Sequence, residues 1–288
     1  MIRDFFLFFM ELLDGKLVKN KIITGIKDKV NKLDRKPCLA VISVGNNDGN
    51  DIYINTKKKM CDKVGYDFKL YKYDNSDTGT LCNLINDLNN DDKVDAILVQ
   101  LPLPNNIDKY KVLNSIDKYK DVDGLCQYNR DLLLESGVEE LVPCTALGII
   151  KLLEYYNIEI GNKNVVILGK SDIVGKPLER LFLNRGAKVV ICDSKTKDIS
   201  VYTKNADILV VAIGKKEYVT DNLVNNNCII IDVGIHYDNG KIVGDVDFDN
   251  VRNKASYITP VPGGVGPMTI AMLCYNVYKC YLKRNGSE

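Results

Sequence analysis

Short runs of aliphatic and β-branched residues alternate with helix-patterned stretches along nearly the whole chain. That alternation restricts the fold more than any other feature of the sequence. Near-continuous apolar runs are how parallel strands covered on both faces read, and parallel neighbours need a crossover, usually a helix. Strands are expected at 39–44, 68–73 and 96–99 in the first half, and at 165–168, 188–191, 208–213 and 229–233 in the second. Helices are expected over about 51–63, 80–89 and 146–156, the last linking the halves, and over 268–282 near the end. The Asn/Asp/Lys-rich patches 46–51 and 89–93 read as loops, and no internal repeat emerges. At 288 residues, two hydrophobic cores are the expectation.

Composition excludes several function classes. With 39 basic against 38 acidic side chains, nothing marks a nucleic-acid or anionic-membrane surface, so the expected partner is a small molecule. The nine cysteines show no CxxC pair or repeated spacing, and the single histidine, His236, weakens a zinc reading. No metal and a reducing, cytoplasmic setting are expected. The apolar opening at residues 1–9 is interrupted by Asp4 and lacks a cleavage pattern. It reads as an upstream-start extension before a natural start at Met10, with an amphipathic anchor as the alternative.

In the second half, Val165-Val-Ile-Leu168 runs into Gly169-Lys-Ser-Asp-Ile-Val-Gly175 and then a helix beginning near Pro177. A glycine turn between strand and helix allows backbone approach to a pyrophosphate and offers helix N-terminal amides to it. The string departs from GxGxxG, so an ordinary βα turn fits it as well. The next strand ends in Asp193-Ser194-Lys195, where the adenosine ribose is read. An acidic residue there favours NAD, whereas Lys170, Ser194 and Lys195 together suit the 2′-phosphate of NADP. Two further strand ends, Ile213-Gly214 and Val233-Gly234-Ile235, point to the same carboxyl edge.

In the first half, Tyr53 and Lys57 stand four apart on a helix, sharing a face, while Lys58 and Lys59 turn to solvent. A phenol beside a desolvated amine makes an acid/base unit, and a cationic helix face with a packed tyrosine is the alternative. The strand Ala96–Val99 delivers Gln100 at its carboxyl end before two prolines stop it. Lys120-Asp-Val-Asp123-Gly124 sets two carboxylates beside a glycine turn, suited to capping or to binding a ligand amine. Thr259-Pro-Val-Pro-Gly-Gly-Val-Gly-Pro-Met-Thr269 forms a rigid loop without side-chain bulk, a wall on which flat rings can lie.

YxxxK, VQLPLP, KDVDG, GKSxIVGxP, DVGI and PVPGGVGPMT, in that order, resemble the bifunctional methylenetetrahydrofolate dehydrogenase/cyclohydrolase family from about Met10 to Leu282. The resemblance implies an α/β fold of two domains flanking a cleft. Residues 1–145, completed by the carboxyl-terminal helix 268–288, would form the folate-binding catalytic domain, and 146–267 a Rossmann-like NAD(P)-binding domain. It also implies a homodimer, tetrahydrofolate derivatives as substrates, and NADP as cofactor with NAD as the alternative. Methylenetetrahydrofolate would be oxidised to methenyltetrahydrofolate and then hydrolysed to formyltetrahydrofolate.

Residue by residue, Lys57 is implied as the acid/base lysine, tuned by Gln100, with Tyr53 orienting folate and lysine and Asp123 holding the pterin. Val99, Leu101, Pro262, Gly263, Gly264 and Thr269 are implied as the folate pocket. Gly169, Lys170, Ser171, Ser194 and Ile235, with Thr145 and Gly266, match nucleotide-binding positions. Three departures stand out: Lys170 with Asp193 in place of an Arg and His pattern, Asn50 in place of a frequent serine, and Ala146 in place of a proline. Competing readings are a dehydrogenase-only form, a nicotinamide dehydrogenase for an amino or hydroxy acid, and a non-catalytic folate- or nucleotide-binding protein.

Overall fold

The structure, a computed structural model, describes residues 10–45 and 48–286. The opening at 1–9 and the side chain of Asn50 lie outside the described residues. In chain order come β1 (Glu11–Leu12), α1 (Gly15–Val30), β2 (Cys38–Val44), α2 (Asp48–Val64), β3 (Asp67–Tyr73), α3 (Thr78–Asn90) and β4 (Ala96–Val99). Next are α4 (Lys109–Asn114), α5 (Gln127–Leu134), α6 (Cys144–Tyr155), β5 (Asn164–Leu168), α7 (Gly175–Asn184) and β6 (Lys188–Cys192). Then follow α8 (Ser200–Thr203), β7 (Ile208–Val211), β8 (Cys228–Asp232), β9 (His236–Asp238), β10 (Lys241–Val243), α9 (Phe248–Val251), β11 (Ala255–Ile258) and α10 (Val265–Arg284). The chain divides into two compact units, one of Lys19–Cys144 with Thr269–Glu288, the other of the segment up to Val18 with Thr145–Met268.

The first unit is built on a three-stranded parallel sheet, β3-β2-β4, whose central strand is buried at all seven residues. Helix α3 adds Leu81, Ile85 and Leu88, spaced for one helical face, to a core with Ala40, Ile42, Ile97 and Val112. Each such aliphatic side chain contributes roughly 1.5–3 kcal/mol on burial. Its start is fixed by Asp77, whose carboxylate accepts from the Thr80 amide at 3.0 Å. The buried ammonium of Lys120 donates to the carbonyls of Leu88 and Asp91 at 2.7 and 2.9 Å, closing the other end of that helix.

The second unit carries six parallel strands in the order β1-β11-β8-β7-β5-β6. From β5 the chain goes first to β6 on one side and then crosses to β7 on the other. The crevice outside the carboxyl ends of β5 and β7 is therefore a topological switch point, where open α/β sheets bind ligands.

Several expectations need correction. Residues 48–51, expected as loop, open α2, and α3 runs on through Asn90 before Asp91 ends it. The strand expected at 208–213 stops at Val211, because the amides of Ile213 and Gly214 turn to the Asp245 carboxylate. The amino-terminal segment, expected with the first domain, pairs as β1 with β11 in the six-stranded sheet.

Asp95, fully buried at the mouth of β4, accepts from both terminal nitrogens of Arg35 at 2.7 and 2.6 Å and from the Cys38 amide at 2.8 Å. Replacing it leaves the buried Cys38 amide without that acceptor and the half-exposed Arg35 guanidinium without its carboxylate. Asp95→Ala is expected to lower stability by roughly 3 kcal/mol in urea unfolding.

Candidate active site

Helix α2 buries a stripe at Ile54, Lys57, Met60, Cys61 and Val64, and four of these five are ordinary core residues. Lys57 is the exception, a lysine only 9% exposed. Its ammonium donates to Gln100 Oε1, and Gln100 is itself held by its amide on Ile42 O at 2.8 Å and its Nε2 on Leu101 O at 3.0 Å. With the Gln100 amide oriented this way, an acceptor faces the lysine. Burial pulls the Lys57 pKa below its ordinary value, while the charge of the Asp123 carboxylate acts to raise it.

The two carboxylates of the KDVDG segment do different work. Asp121 is buried and accepts from the Cys126 amide at 2.8 Å and Asn129 Nδ2 at 2.9 Å, so it shapes the turn. Asp123 is the one coupled to Lys57, and loss of hydration pushes its carboxyl up against the opposing pull of that lysine. Gly124, directly after Asp123, takes φ +63°, and a Cβ there would lie 2.4 Å from Leu141 O. Tyr53, one turn before Lys57, is 44% exposed at the rim of the helix's buried stripe.

Two further residues of this cluster were not singled out from the sequence. The buried Cys144 thiol donates to Asp123 Oδ1 at 3.4 Å, and its own pKa is pushed well up by burial and by that carboxylate. Asn276, fully buried in α10, donates from Nδ2 to Val122 O at 2.9 Å and Val142 O at 3.0 Å, fixing the backbone just before Asp123 and just before Cys144. A lone amide within the apolar run Ala271–Cys280 was the available signal, since a buried polar side chain needs partners.

In the six-stranded unit, the turn after β5 requires its glycines. Gly169 takes φ +112°, and a Cβ there would lie 2.2 Å from Ala212 O; one on Gly175 would lie 2.0 Å from Gly169 O. Ser171 Oγ accepts from the Val174 and Gly175 amides at 3.2 and 3.4 Å, so its hydroxyl helps start α7. The Gly169 amide bonds Cys192 O at 2.8 Å, which sets the exposed turn Asp193–Thr196 beside the glycine turn. There Asp193 Oδ1 accepts from the Lys195 amide at 2.9 Å. An open hollow of about 470 Å³ lies next to it, lined by Asp193, Lys195, Thr196, Lys197, Asp198, Val201 and Tyr202.

The remaining expected residues fall as follows. Lys170 and Ser194 are exposed, Thr145 is half-buried at the start of α6, and Ile235 is 43% exposed with its Cδ1 near Gly266. Pro262, Gly263, Gly264 and Gly266 belong to the six-stranded unit, and Thr269 lies in α10 just after it. The loop is braced by the Gly264 amide on Pro260 O at 2.7 Å and by the Lys16 amide on Gly263 O at 3.2 Å. Val99 is core, and Leu101 packs against that core from the strand end. Among the described residues no cluster of three metal-ligating side chains occurs, and no helix is long and apolar enough to cross a membrane.

A six-stranded parallel sheet with a glycine turn at its switch point defines a Rossmann-like dinucleotide fold, joined here to a second α/β unit bearing a buried lysine cluster. Family profiles agree with both halves. Residues 13–123 match the tetrahydrofolate dehydrogenase/cyclohydrolase catalytic domain, and 143–285 its NAD(P)-binding domain. The bifunctional protein FolD of Campylobacter hominis is 48% identical over 275 residues, 94% of this chain and 96% of that protein. The crystal structure of the bifunctional FolD methylenetetrahydrofolate dehydrogenase/cyclohydrolase from Campylobacter jejuni superposes with a TM-score of 0.93 at 46% identity, covering 96% of this chain and all of that one. The Trypanosoma brucei methylenetetrahydrofolate dehydrogenase-cyclohydrolase, crystallised with NADP cofactor and inhibitor, gives 0.91 at 34% identity over 97% and 99%. The chain belongs to the tetrahydrofolate dehydrogenase/cyclohydrolase family.

Asn276→Leu keeps the branching of the side chain but removes the amide that donates to the Val122 and Val142 carbonyls. It is expected to cost about 2 kcal/mol and to speed amide exchange across 121–124, read by hydrogen exchange.

Proposed function

We propose that this protein oxidises 5,10-methylenetetrahydrofolate to 5,10-methenyltetrahydrofolate with NADP and then hydrolyses the product to 10-formyltetrahydrofolate. The observation that carries this reading is the buried Lys57, bonded to Gln100 and coupled to Asp123. A lysine depressed by burial has more neutral amine near neutral pH than an exposed one, and neutral amine is what can take a proton from water.

In the first reaction the folate nitrogens drive hydride departure from the methylene carbon, and NADP, when bound, supplies the acceptor. The glycine turn and the lysines beside Asp193 fit a dinucleotide's phosphates. Here the protein chiefly orients its substrates. In the second reaction water adds to the methenyl carbon, Lys57 takes the proton released, and the bond from that carbon to one ring nitrogen breaks as the formyl C=O forms. The carbinol proton passes to the nitrogen that leaves. Gln100 holds the lysine, and Asp123 and Tyr53 hold the pterin.

The same reading assigns Val99, Leu101, Pro262, Gly263, Gly264 and Thr269 to the folate pocket. Gly169, Lys170, Ser171, Ser194, Ile235, Thr145 and Gly266 are assigned to the nucleotide. It includes a cytoplasmic homodimer, for which sedimentation should give twice the chain mass.

Incubation of the protein with methylenetetrahydrofolate and NADP should yield reduced cofactor without lasting methenyl absorbance. Lys57→Met should still form reduced cofactor while methenyl accumulates, hydrolysis falling ~10²–10⁴-fold. Hydrolysis at the wild-type rate in that variant would overturn the assignment. The wild-type hydrolysis rate should rise with pH as Lys57 loses its proton, on a limb lying below an ordinary lysine's titration.

Asp193 sets the cofactor margin. Its charge opposes a 2′-phosphate that Lys170 and Lys195 favour, so Asp193→Asn should shift relative affinity toward NADP over NAD by roughly five- to tenfold, read by equilibrium binding.

A further inference from the structure

Outside the catalytic and nucleotide-binding residues assigned above, the least expected group in the six-stranded unit is a pair of buried carboxylates with the chain's only histidine. Asp245 is fully buried. Its Oδ2 accepts from the amides of Ile213 and Gly214 at 2.8 and 2.9 Å, and its Oδ1 meets His236 Nε2 at 2.8 Å. A carboxylate only accepts, so the proton of that bond sits on Nε2.

Behind Asp245 stands Asp232, at the end of β8. Its carboxylate accepts from the amides of Gly234, Asp245 and Val246 at 2.9, 3.0 and 3.0 Å, and burial pushes it up to about 6. The packing leaves no room for side chains at two neighbouring positions. A Cβ on Gly234 would lie 2.4 Å from Asp245 Oδ1, and one on Gly244 would lie 1.8 Å from Asp232 Oδ2.

We propose that Asp245 is a positioning residue for the nucleotide: one carboxylate fixes the end of β7 directly and the exposed segment after β8 through His236. The inference rests on the nucleotide-binding reading given above. Its geometry runs in two directions. Residues 213–214 continue from Ala212, whose carbonyl packs on Gly169, so the β7 end determines where the glycine turn sits. His236 directly follows Ile235, which stands at the carboxyl edge of the sheet beside Gly266. Two buried carboxylates cost more to hold than an apolar corner, and such expense is concentrated at functional sites.

The test separates nucleotide binding from hydrolysis of added methenyltetrahydrofolate, which consumes no nucleotide. Asp245→Ala is expected to raise the dissociation constant for NADP about tenfold or more, with hydrolysis within about twofold of wild type. Asp245→Asn should restore most of the binding, because its one oxygen can accept both amides while its Nδ2 donates to the imidazole. His236 must then carry its proton on Nδ1, a tautomer change that nitrogen NMR of the only histidine reads directly. Should Asp245→Ala fail to fold, His236→Ala, at a partly exposed position, is expected to weaken NADP binding severalfold. Folded variants that bind NADP as wild type does overturn this inference alone. Wild-type protein that binds neither NADP nor NAD overturns the nucleotide reading and this inference with it.

Discussion

A lysine ammonium taken out of water is the constraint on which the catalytic unit turns. Burying a charge is costly unless partners replace its hydration. The surroundings of Lys57 meet that cost only in part, with one amide oxygen from Gln100 and the charge of Asp123. The lysine therefore gives up its proton more readily than one in water. Asp123 loses hydration in turn, and the buried Cys144 thiol donates to it. Each group limits how far its neighbour can shift, which makes the cluster usable for moving a proton.

The scaffold around the cluster is made of groups that fix backbone. Asn276 ties the backbone leading into Asp123 and into Cys144, Asp121 holds the turn, and Lys120 closes α3. In the six-stranded unit the same principle recurs with carboxylates and glycines. Gly169, Gly175, Gly234 and Gly244 each sit where a methyl group would strike a carbonyl or a carboxylate. These contacts fix strand ends at the edge where an open parallel sheet takes its ligand.

The parallel strands were legible because buried β-branched runs have no other easy reading, and the central strands fell within a residue or two of expectation. What escaped was structure whose local pattern is weak. The two residues of β1 carry no periodicity, and their place beside β11 is set by tertiary pairing. The opening of α2 at Asp48 ran against turn-favouring residues, and its apolar stripe farther along fixed its course. At the lysine cluster, the Tyr53 and Lys57 spacing pointed to one shared face, yet the tyrosine is largely exposed where the lysine is buried. Cys144 and His236 could not be weighed from sequence, because a thiol or an imidazole gains meaning only from the carboxylate it meets in space.

The most direct test of the central claim is titration of the Lys57 Nζ by heteronuclear NMR in the wild type and in Asp123→Asn. The account predicts a wild-type pKa below the ordinary lysine value of about 10.4 and a further fall in the variant, because the carboxylate that favours the ammonium is gone. An ordinary lysine titration in the wild type, or a value unmoved by loss of the Asp123 charge, would contradict it.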